Sequence, residues 1–433
     1  MKQKYKECAA IDIGSKNIFV AILNKDGFKV FGTTTVDFQS AVDYLLSENI
    51  KDVAMEATGV YWMGLYDILE QRGLKAVLVK AGDAKQLPGR DKTDGEDCQW
   101  LCHLFSGGLL RNSVVPKDSI RTLRQYMRMR NDHIELAAQH KQHIQKNMIM
   151  MNLRLPETLS DITGVSGRKI IEAILTGERD PQKLVLLCHG AIGPKGDKIL
   201  KALQGIYKDE YLFGLKQSYR CWLFYQSQIE ECDRMINDWL EKQIKDQPII
   251  VSSDKLKKSS GANKLRIQNV EEKILTLNGG IDVTRLPGIS CNNALKLYSE
   301  LGPDLSKWFS DKSFVKYLGL AGQKANSGKI KKNKRMSVPR AGQIFREAAQ
   351  TLMRSNKTAL GAFARRINAR RGPYIAIKAT ARKLAILYYN LFTKGVDYVE
   401  KGVELYSQQL QATELKRLQK LAKKHGMILL NNN

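Results

Sequence analysis

Residues 8–32 read CAAIDIGSKNIFVAILNKDGFKVFG, and their pattern decides the fold of the front of the chain. Cys8 to Ile13 is an apolar run with Asp12 near its end. Asn17 to Leu23 follows, with Ile18, Val20 and Ile22 at every second position, the period of a strand. Asn24-Lys25-Asp26-Gly27 is turn chemistry and leads into a third run, Phe28 to Gly32. Three strands joined by tight turns are the expectation. A lone Asp in an apolar strand is costly to bury unless it is paired or bound to a cation, so Asp12 is the residue to follow outward.

Downstream the period changes. Phe38 to Leu46 has helical spacing, and Asp52 to Met55 is a short buried-type strand that ends at Glu56. Val60 to Gln71 reads as a helix closed by Gly73, Lys75 to Val79 as a strand, and Asp94 to Phe105 as a helix. The order β-β-β-α-β-α-β-α predicts an α/β domain of ribonuclease-H-like type. Functional groups of an open α/β sheet gather at strand ends, where Asp12 and Glu56 both fall. Asp94 and Asp97, in Lys92-Thr93-Asp94-Gly95-Glu96-Asp97, are three apart and project from one helix face. Carboxylates held together repel one another unless a cation lies between them, and Mg²⁺ is bound through carboxylates, waters and substrate phosphates. Two-metal phosphoryl-transfer sites need about this ligand set. The plain alternative is that acidic residues favour the first turn of a helix, with Asp12 capping a turn.

Composition points to the partner. The 433 residues carry a net charge of +26, long enough for two or three domains and basic enough for a polyanion, nucleic acid above all. Residues 1–115 hold 14 Lys/Arg and 15 Asp/Glu, whereas residues 254–433 hold 35 and 12. A near-neutral catalytic front joined to a basic nucleic-acid-binding back is the expectation. Seven Cys without a C-x-x-C pair, no signal peptide and no membrane-length apolar run suggest a reduced, cytoplasmic protein. Cys98, Cys102 and His103 lack a second ligand cluster and read as helix packing rather than a zinc site.

Residues 116–250 read as a helical region. Ser119 to Met151 is a long helix whose positions alternate in steps of three and four, a coiled-coil seam interrupted by Arg130 and Lys141. Leu215 to Trp239 repeats the pattern. The two either pair within one chain as an antiparallel stalk or join chains in an oligomer. Residues 251–275 read as a linker or basic loop, 276–400 as a mainly helical C-terminal domain, and 401–433 as a basic tail. Leu286-Pro287-Gly288-Ile289-Ser290 before a helix over Asn292 to Leu301 looks like a helix-hairpin-helix turn, with Gly288 beside a phosphate.

From Gln323 to Arg346 there are eight Lys/Arg and no acidic residue. Lys324, Lys329, Lys331, Lys332, Lys334, Arg335 and Arg340 lie there, in a Gly-containing basic loop that suits close approach of a phosphodiester. Arg365, Arg366, Arg370 and Arg371 follow on helices, and Arg forks suit phosphates. Ser327 sits inside the basic loop. A serine hydroxyl is a weak nucleophile, but neighbouring cations stabilise the charge that develops at phosphorus. A loop serine is ordinarily structural.

Asp12, Glu56 and Lys-Thr-Asp-x-x-Asp resemble the DEDD-type transposases of the insertion-sequence 110 family, relatives of the Piv-type DNA invertases. The resemblance continues in Gly177-Glu178-Arg179-Asp180-Pro181, in the Pro-Gly turn and in Tyr317-Leu318-Gly319-Leu320, and spans roughly residues 8–392. It implies a RuvC-like domain whose Asp12, Glu56, Asp94 and Asp97 hold Mg²⁺, and a catalytic serine in the C-terminal domain. That serine would be Ser327, forming a transient 5′-phosphoserine link. It also implies DNA partners, a structured noncoding bridge RNA, and a composite site shared between subunits of a homo-oligomer. Two departures stand out. Cys98 replaces the usual Ala, and Asn326-Ser327-Gly328-Lys329 replaces Ser-Ser-Gly-Gly-Lys, which keeps Ser337 as a second nucleophile candidate. A metal-dependent nuclease or Holliday-junction resolvase without serine chemistry, and a non-catalytic nucleic-acid-binding protein, are the alternatives.

Overall fold

The opening residues form strands because alternate side chains are apolar on both faces, and both faces are covered. β1 (Cys8–Ile13), β2 (Ile18–Ile22) and β3 (Lys29–Phe31) make an antiparallel ladder, with Ile11 opposite Val20 and Phe19 opposite Val30. Asn24 and Gly27 both take positive φ in the turn before β3. After α1 (Thr35–Ser47), β4 (Asp52–Glu56) joins β1 in parallel; after α2 (Trp62–Gln71), β5 (Lys75–Val79) joins β4. The sheet order is β3-β2-β1-β4-β5. This is the α/β layout read from the pattern. The structure, a computed structural model, describes residues 4–56, 59–79, 93–110, 112–113, 115–188, 196–248, 250, 256–322, 324–327, 330–333, 338–356, 358–396, 408, 411–412 and 415–427.

Helices close both sheet faces. Ile11, Ile13, Val53 and Met55 pack with Phe38, Leu45 and Leu65 under α1 and α2. Cys8, Ala10, Ala54 and Val79 face the other way, onto Leu101 and Phe105 of α3 (Asp94–Ser106). Reciprocal bonds between Thr34 and Asp37 cap α1.

The chain divides into two compact units, residues 1–115 and 116–433. In the second, α4 (Asp118–Met150) opens the stalk. α5 (Leu155–Thr158), α6 (Val165–Leu175), α7 (Pro181–Leu186) and α8 (Gly196–Ala202) follow, and α9 (Asp209–Ile244) returns. The Trp239 indole donates to the Ser119 carbonyl at 2.8 Å, and a Cβ on Gly214 would meet the Asn147 amide. Residues from opposite ends of the two helices therefore meet, and the pair is antiparallel within one chain. Ile120, Leu123, Met127 and Ile144 are buried along one seam, and Leu215, Trp222, Ile229 and Ile236 along the other.

Both seam interruptions are ion pairs. Arg130 Nε meets Asp233 Oδ1 at 2.6 Å, and Lys141 Nζ meets Asp161 Oδ1 at 2.7 Å. α10 (Val270–Leu277) begins within the last residues of the stretch read as a linker or basic loop over 251–275. The described coil before it is pinned: Arg130 donates to the Asn263 and Lys264 carbonyls, and the Lys257 ammonium to the Ile289 carbonyl at 3.2 Å.

α11 (Cys291–Leu301), capped by Ser290, and α12 (Asp311–Tyr317) follow. Then come β6 (Lys324–Ser327), β7 (Ile330–Asn333), α13 (Arg340–Met353), α14 (Ala359–Arg371) and α15 (Pro373–Lys394). The segment read as a basic loop is thus partly a two-stranded hairpin. Phe314, Phe345 and Tyr388 form the aromatic centre of this region. Residues 415–424 of the tail are helical. Among the described residues, no helix is long and apolar enough to cross a membrane.

Candidate active site

The direction of α3 fixes where its carboxylates fall. Cys102 Sγ reaches the Cys8 carbonyl at 3.8 Å, and one turn earlier Cys98 Sγ donates to the Ala10 and Phe19 carbonyls at 3.2 and 2.9 Å. The helix therefore runs against β1. Its first turn, with Asp94 and Asp97, approaches the end of β1 that carries Asp12. Asp12 alternates with Ile11 and Ile13 and so shares the α3 face with Cys8 and Ala10. By the same alternation Glu56 shares the face of Ala54. Ile11 is level with Met55 in the parallel pair, so Asp12 and Glu56 end neighbouring strands side by side. Glu56 is only 7% exposed, Asp12 and Asp97 are half-buried, and Asp94 is exposed.

Local chemistry explains the residues between. Thr93 is the N-cap of α3, its hydroxyl accepting the Glu96 amide at 3.4 Å, and Asp94, Glu96 and Asp97 sit where the helix dipole favours anions. Gly95 is buried under the Phe28 ring, which a side chain there would have to displace. Burial pushes the Cys98 thiol up to about 12, with the Asp12 charge adding to it, so this departure from the family pattern is a neutral packing group beneath the acidic edge. Cys102 is buried against the sheet and His103 is exposed. Lys92 lies outside the described residues.

Asp12 and Glu56 share one edge and one face of the sheet, and the first turn of α3, with Asp94 and Asp97, begins on that side. Among the described residues, no three His, Cys, Asp or Glu side chains converge closely enough to enclose an ion. The donor set is nevertheless all oxygen and anionic, which fits a hard divalent cation.

In the second unit Ser327 ends β6 and pairs with Ile330 of β7, while Lys324, Lys331 and Lys332 occupy the same hairpin. Lys329, Lys334, Arg335 and Ser337 lie outside the described residues. The hairpin leaves from and returns to packed ground: Leu318 and Leu320 are buried before it, and a Cβ on Gly342 after it would strike the Leu318 carbonyl. Gly288 has φ +79°, and a Cβ there would meet Leu352 and the Ala348 carbonyl at about 3 Å. Its close approach is therefore to α13. Arg340 is exposed at the start of α13 and lines a cleft of about 250 Å³ with Lys296, Glu300 and Glu347. The Arg365 guanidinium is committed to the Ser355 carbonyl, whereas Arg366, Arg370 and Arg371 are exposed.

Sequence reasoning missed the clamp that holds α11 to the stalk. Arg128 grips Glu300 with two bonds of 2.8 and 2.7 Å, and Arg124 donates to the Ser299 and Glu300 carbonyls at the end of α11. The four-residue spacing of Arg124 and Arg128 was the available signal.

Comparison with known families agrees with these features. Residues 9–151 match a transposase family model of the DEDD type, so the chain is a transposase, an enzyme that cuts and rejoins DNA. Residues 282–364 match the model described as the transposase IS116/IS110/IS902 family, and the chain belongs to that family. No curated protein matches the chain.

Proposed function

We propose that the chain moves an insertion sequence with a RuvC-like carboxylate module in its first unit and a serine nucleophile in its second. The supporting observation is that Asp12 and Glu56 lie at the ends of neighbouring parallel strands, on the face covered by α3, whose first turn carries Asp94 and Asp97. In this reading the four carboxylates hold Mg²⁺. When bound, the metal stabilises charge on the attacking and leaving oxygens. Ser327 Oγ attacks the scissile phosphorus, the P–O3′ bond breaks, and one strand leaves with a 3′-hydroxyl. The other strand stays linked through its 5′-phosphate to Ser327. Attack by a 3′-hydroxyl of the partner DNA then reforms a phosphodiester and releases the serine, so no external energy source is needed.

Lysines and arginines of the second unit neutralise the phosphates. A bridge RNA supplies sequence choice by pairing with donor and target, and the protein reads its A-form shape. Carboxylates and serine come from different subunits of a dimer or tetramer, in the prokaryotic cytosol.

The test is strand exchange between DNAs carrying the element's ends, with the covalent protein–DNA adduct followed on denaturing gels and copurifying RNA sequenced. Ser327→Ala and Asp94→Asn should each abolish exchange, and Ser327→Ala should also remove the adduct. Loss of the adduct in Ser337→Ala alone would move the nucleophile to Ser337. Exchange that survives both serine changes but not Asp94→Asn would favour a resolvase-like nuclease. Bulk cellular RNA without one structured species would remove RNA guidance.

A further inference from the structure

The α14–α15 corner has a property that phosphate binding alone leaves unused. From residue 348 to 396 the chain has ten Lys or Arg and no Asp or Glu, so these helices carry positive charge without counter-charge of their own. At the corner, Arg370 and Arg371 close α14, Gly372 turns the chain with φ +80°, and Pro373 starts α15. The next residue is Tyr374, which is 64% exposed, and Ile375 beside it is 43% exposed.

The backbone that carries the ring is firmly held. Gly372 N–H donates to the Asn368 carbonyl at 2.9 Å, and the Gly372 carbonyl accepts the Ala376 amide at 3.2 Å, so both helices run into the corner without a loose residue. Ala364 of α14 and Ala376, Thr380 and Ala381 of α15 are buried within the helical core. The Arg346 guanidinium of α13 lies 5.4 Å from the Tyr374 ring centroid. Tyr374 as a residue is mostly open to solvent. A rigid aromatic loses little entropy when a flat partner covers it, and a guanidinium on its other face strengthens the stack.

Resting on the nucleic-acid reading above, we infer that Tyr374 is a stacking platform for an unpaired nucleobase whose flanking phosphates are held by Arg370, Arg371 and Arg346. Aromatic rings set in basic grooves bind single strands in this way, and the base rather than the phosphate then supplies part of the affinity. A fully paired duplex has no free base face to offer. The nucleic acid passing this corner is therefore single-stranded or locally opened.

The experiment uses the full chain and three labelled probes followed by fluorescence anisotropy: a 12-mer of dT, a 12-mer of abasic deoxyribose with the same phosphates, and a 20-base-pair duplex. The wild type should prefer dT over the abasic strand about fivefold or more. Tyr374→Ala should erase that preference and leave duplex binding unchanged, and Tyr374→Phe should retain it. Because the residue is exposed, loss of folding is not the expected route, and the duplex arm reports it if it occurs. A 12-mer of rU bound more tightly than dT, with the same loss in Tyr374→Ala, would assign the base to RNA; the reverse order would assign it to DNA. A wild type indifferent to the base, or a Tyr374→Ala that keeps the preference, overturns the inference while nucleic-acid binding stands. Failure of every probe to bind would instead overturn the nucleic-acid reading itself.

Discussion

Arg130 and Asp233 meet at 2.6 Å inside the α4–α9 seam, and neither side chain is more than 2% exposed. The contact is two-pronged, with Arg130 Nη2 3.3 Å from Asp233 Oδ2. It also fastens the coil before α10: Arg130 donates to the Lys264 carbonyl at 2.8 Å, and Asp233 accepts the Arg266 amide at 3.2 Å. Removing one partner of a buried pair strands the other charge. Asp233→Ala should therefore cost about 3–5 kcal/mol in denaturant unfolding. Arg130→Met combined with Asp233→Leu should recover only part of this, because the Asn263 and Lys264 carbonyls and the Arg266 amide lose their partners. Wild-type stability in Asp233→Ala would show that the pair does not hold the stalk.

That pair also marks the limit of what the sequence disclosed. Arg130 and Lys141 were visible as breaks in a heptad seam, but a break does not name its partner, and Asp233 lies 103 residues away. Strands β1, β2, β4 and β5 were legible because short apolar runs bounded by turn residues are the pattern of strands buried on both faces. The β6–β7 hairpin was read as a loop because Lys324, Asn326, Lys331, Lys332 and Asn333 give no apolar alternation, and its ladder is made of backbone bonds. At the acidic edge the strand-end positions of Asp12 and Glu56 and the helix start at Asp94 were readable. The antiparallel run of α3 over β1, which turns the first turn of α3 toward the strand ends, depends on tertiary packing through Cys98 and Cys102.

Gly342 tests how the serine-bearing hairpin is seated. A Cβ there would drive into the Leu318 carbonyl and lie 2.9 Å from Val338 Cγ1. Leu318 precedes the hairpin and Val338 follows it, so the strain falls on both of its roots. Alanine favours a helix over glycine by about 1 kcal/mol. Overpacking against a backbone oxygen that cannot swing aside costs about 1–3 kcal/mol. Gly342→Ala should therefore lower the unfolding midpoint, and strand exchange should fall with it. A raised midpoint would mean that helix propensity decides at this position.

His140 gives the stalk a pH dependence. Its ring stacks on Tyr225 at 5.6 Å, and its Nδ1 is buried without a hydrogen bond among the described residues. Burial, then the neighbouring His143, holds it below the ordinary value of 6.5. On acidification the unfolded chain takes up this proton before the folded one does. The contribution is thus complete above pH 6.5 and is lost as pH falls through the lower folded value. The fall in midpoint between pH 8 and pH 5.5 should be smaller in His140→Phe, which keeps the stack but cannot titrate. Equal falls in both proteins would remove His140 as a contributor.

Glu56→Gln isolates the metal role from the fold. Glu56 is nearly buried at the end of β4, and glutamine keeps its shape while removing its charge. If Asp12, Glu56, Asp94 and Asp97 hold Mg²⁺, the wild type should unfold at a higher temperature in Mg²⁺ than in EDTA, because a ligand that binds only the folded state stabilises it. The variant should lose that increment. Metal stabilisation of transition-state charge is worth several kcal/mol, and each 1.36 kcal/mol is a factor of ten, so DNA strand cleavage should drop by about 100-fold or more. The two readouts separate the causes: lost cleavage with an intact Mg²⁺ increment would make Glu56 a group that acts on the DNA rather than a ligand. Wild-type cleavage in Glu56→Gln would remove it from the site.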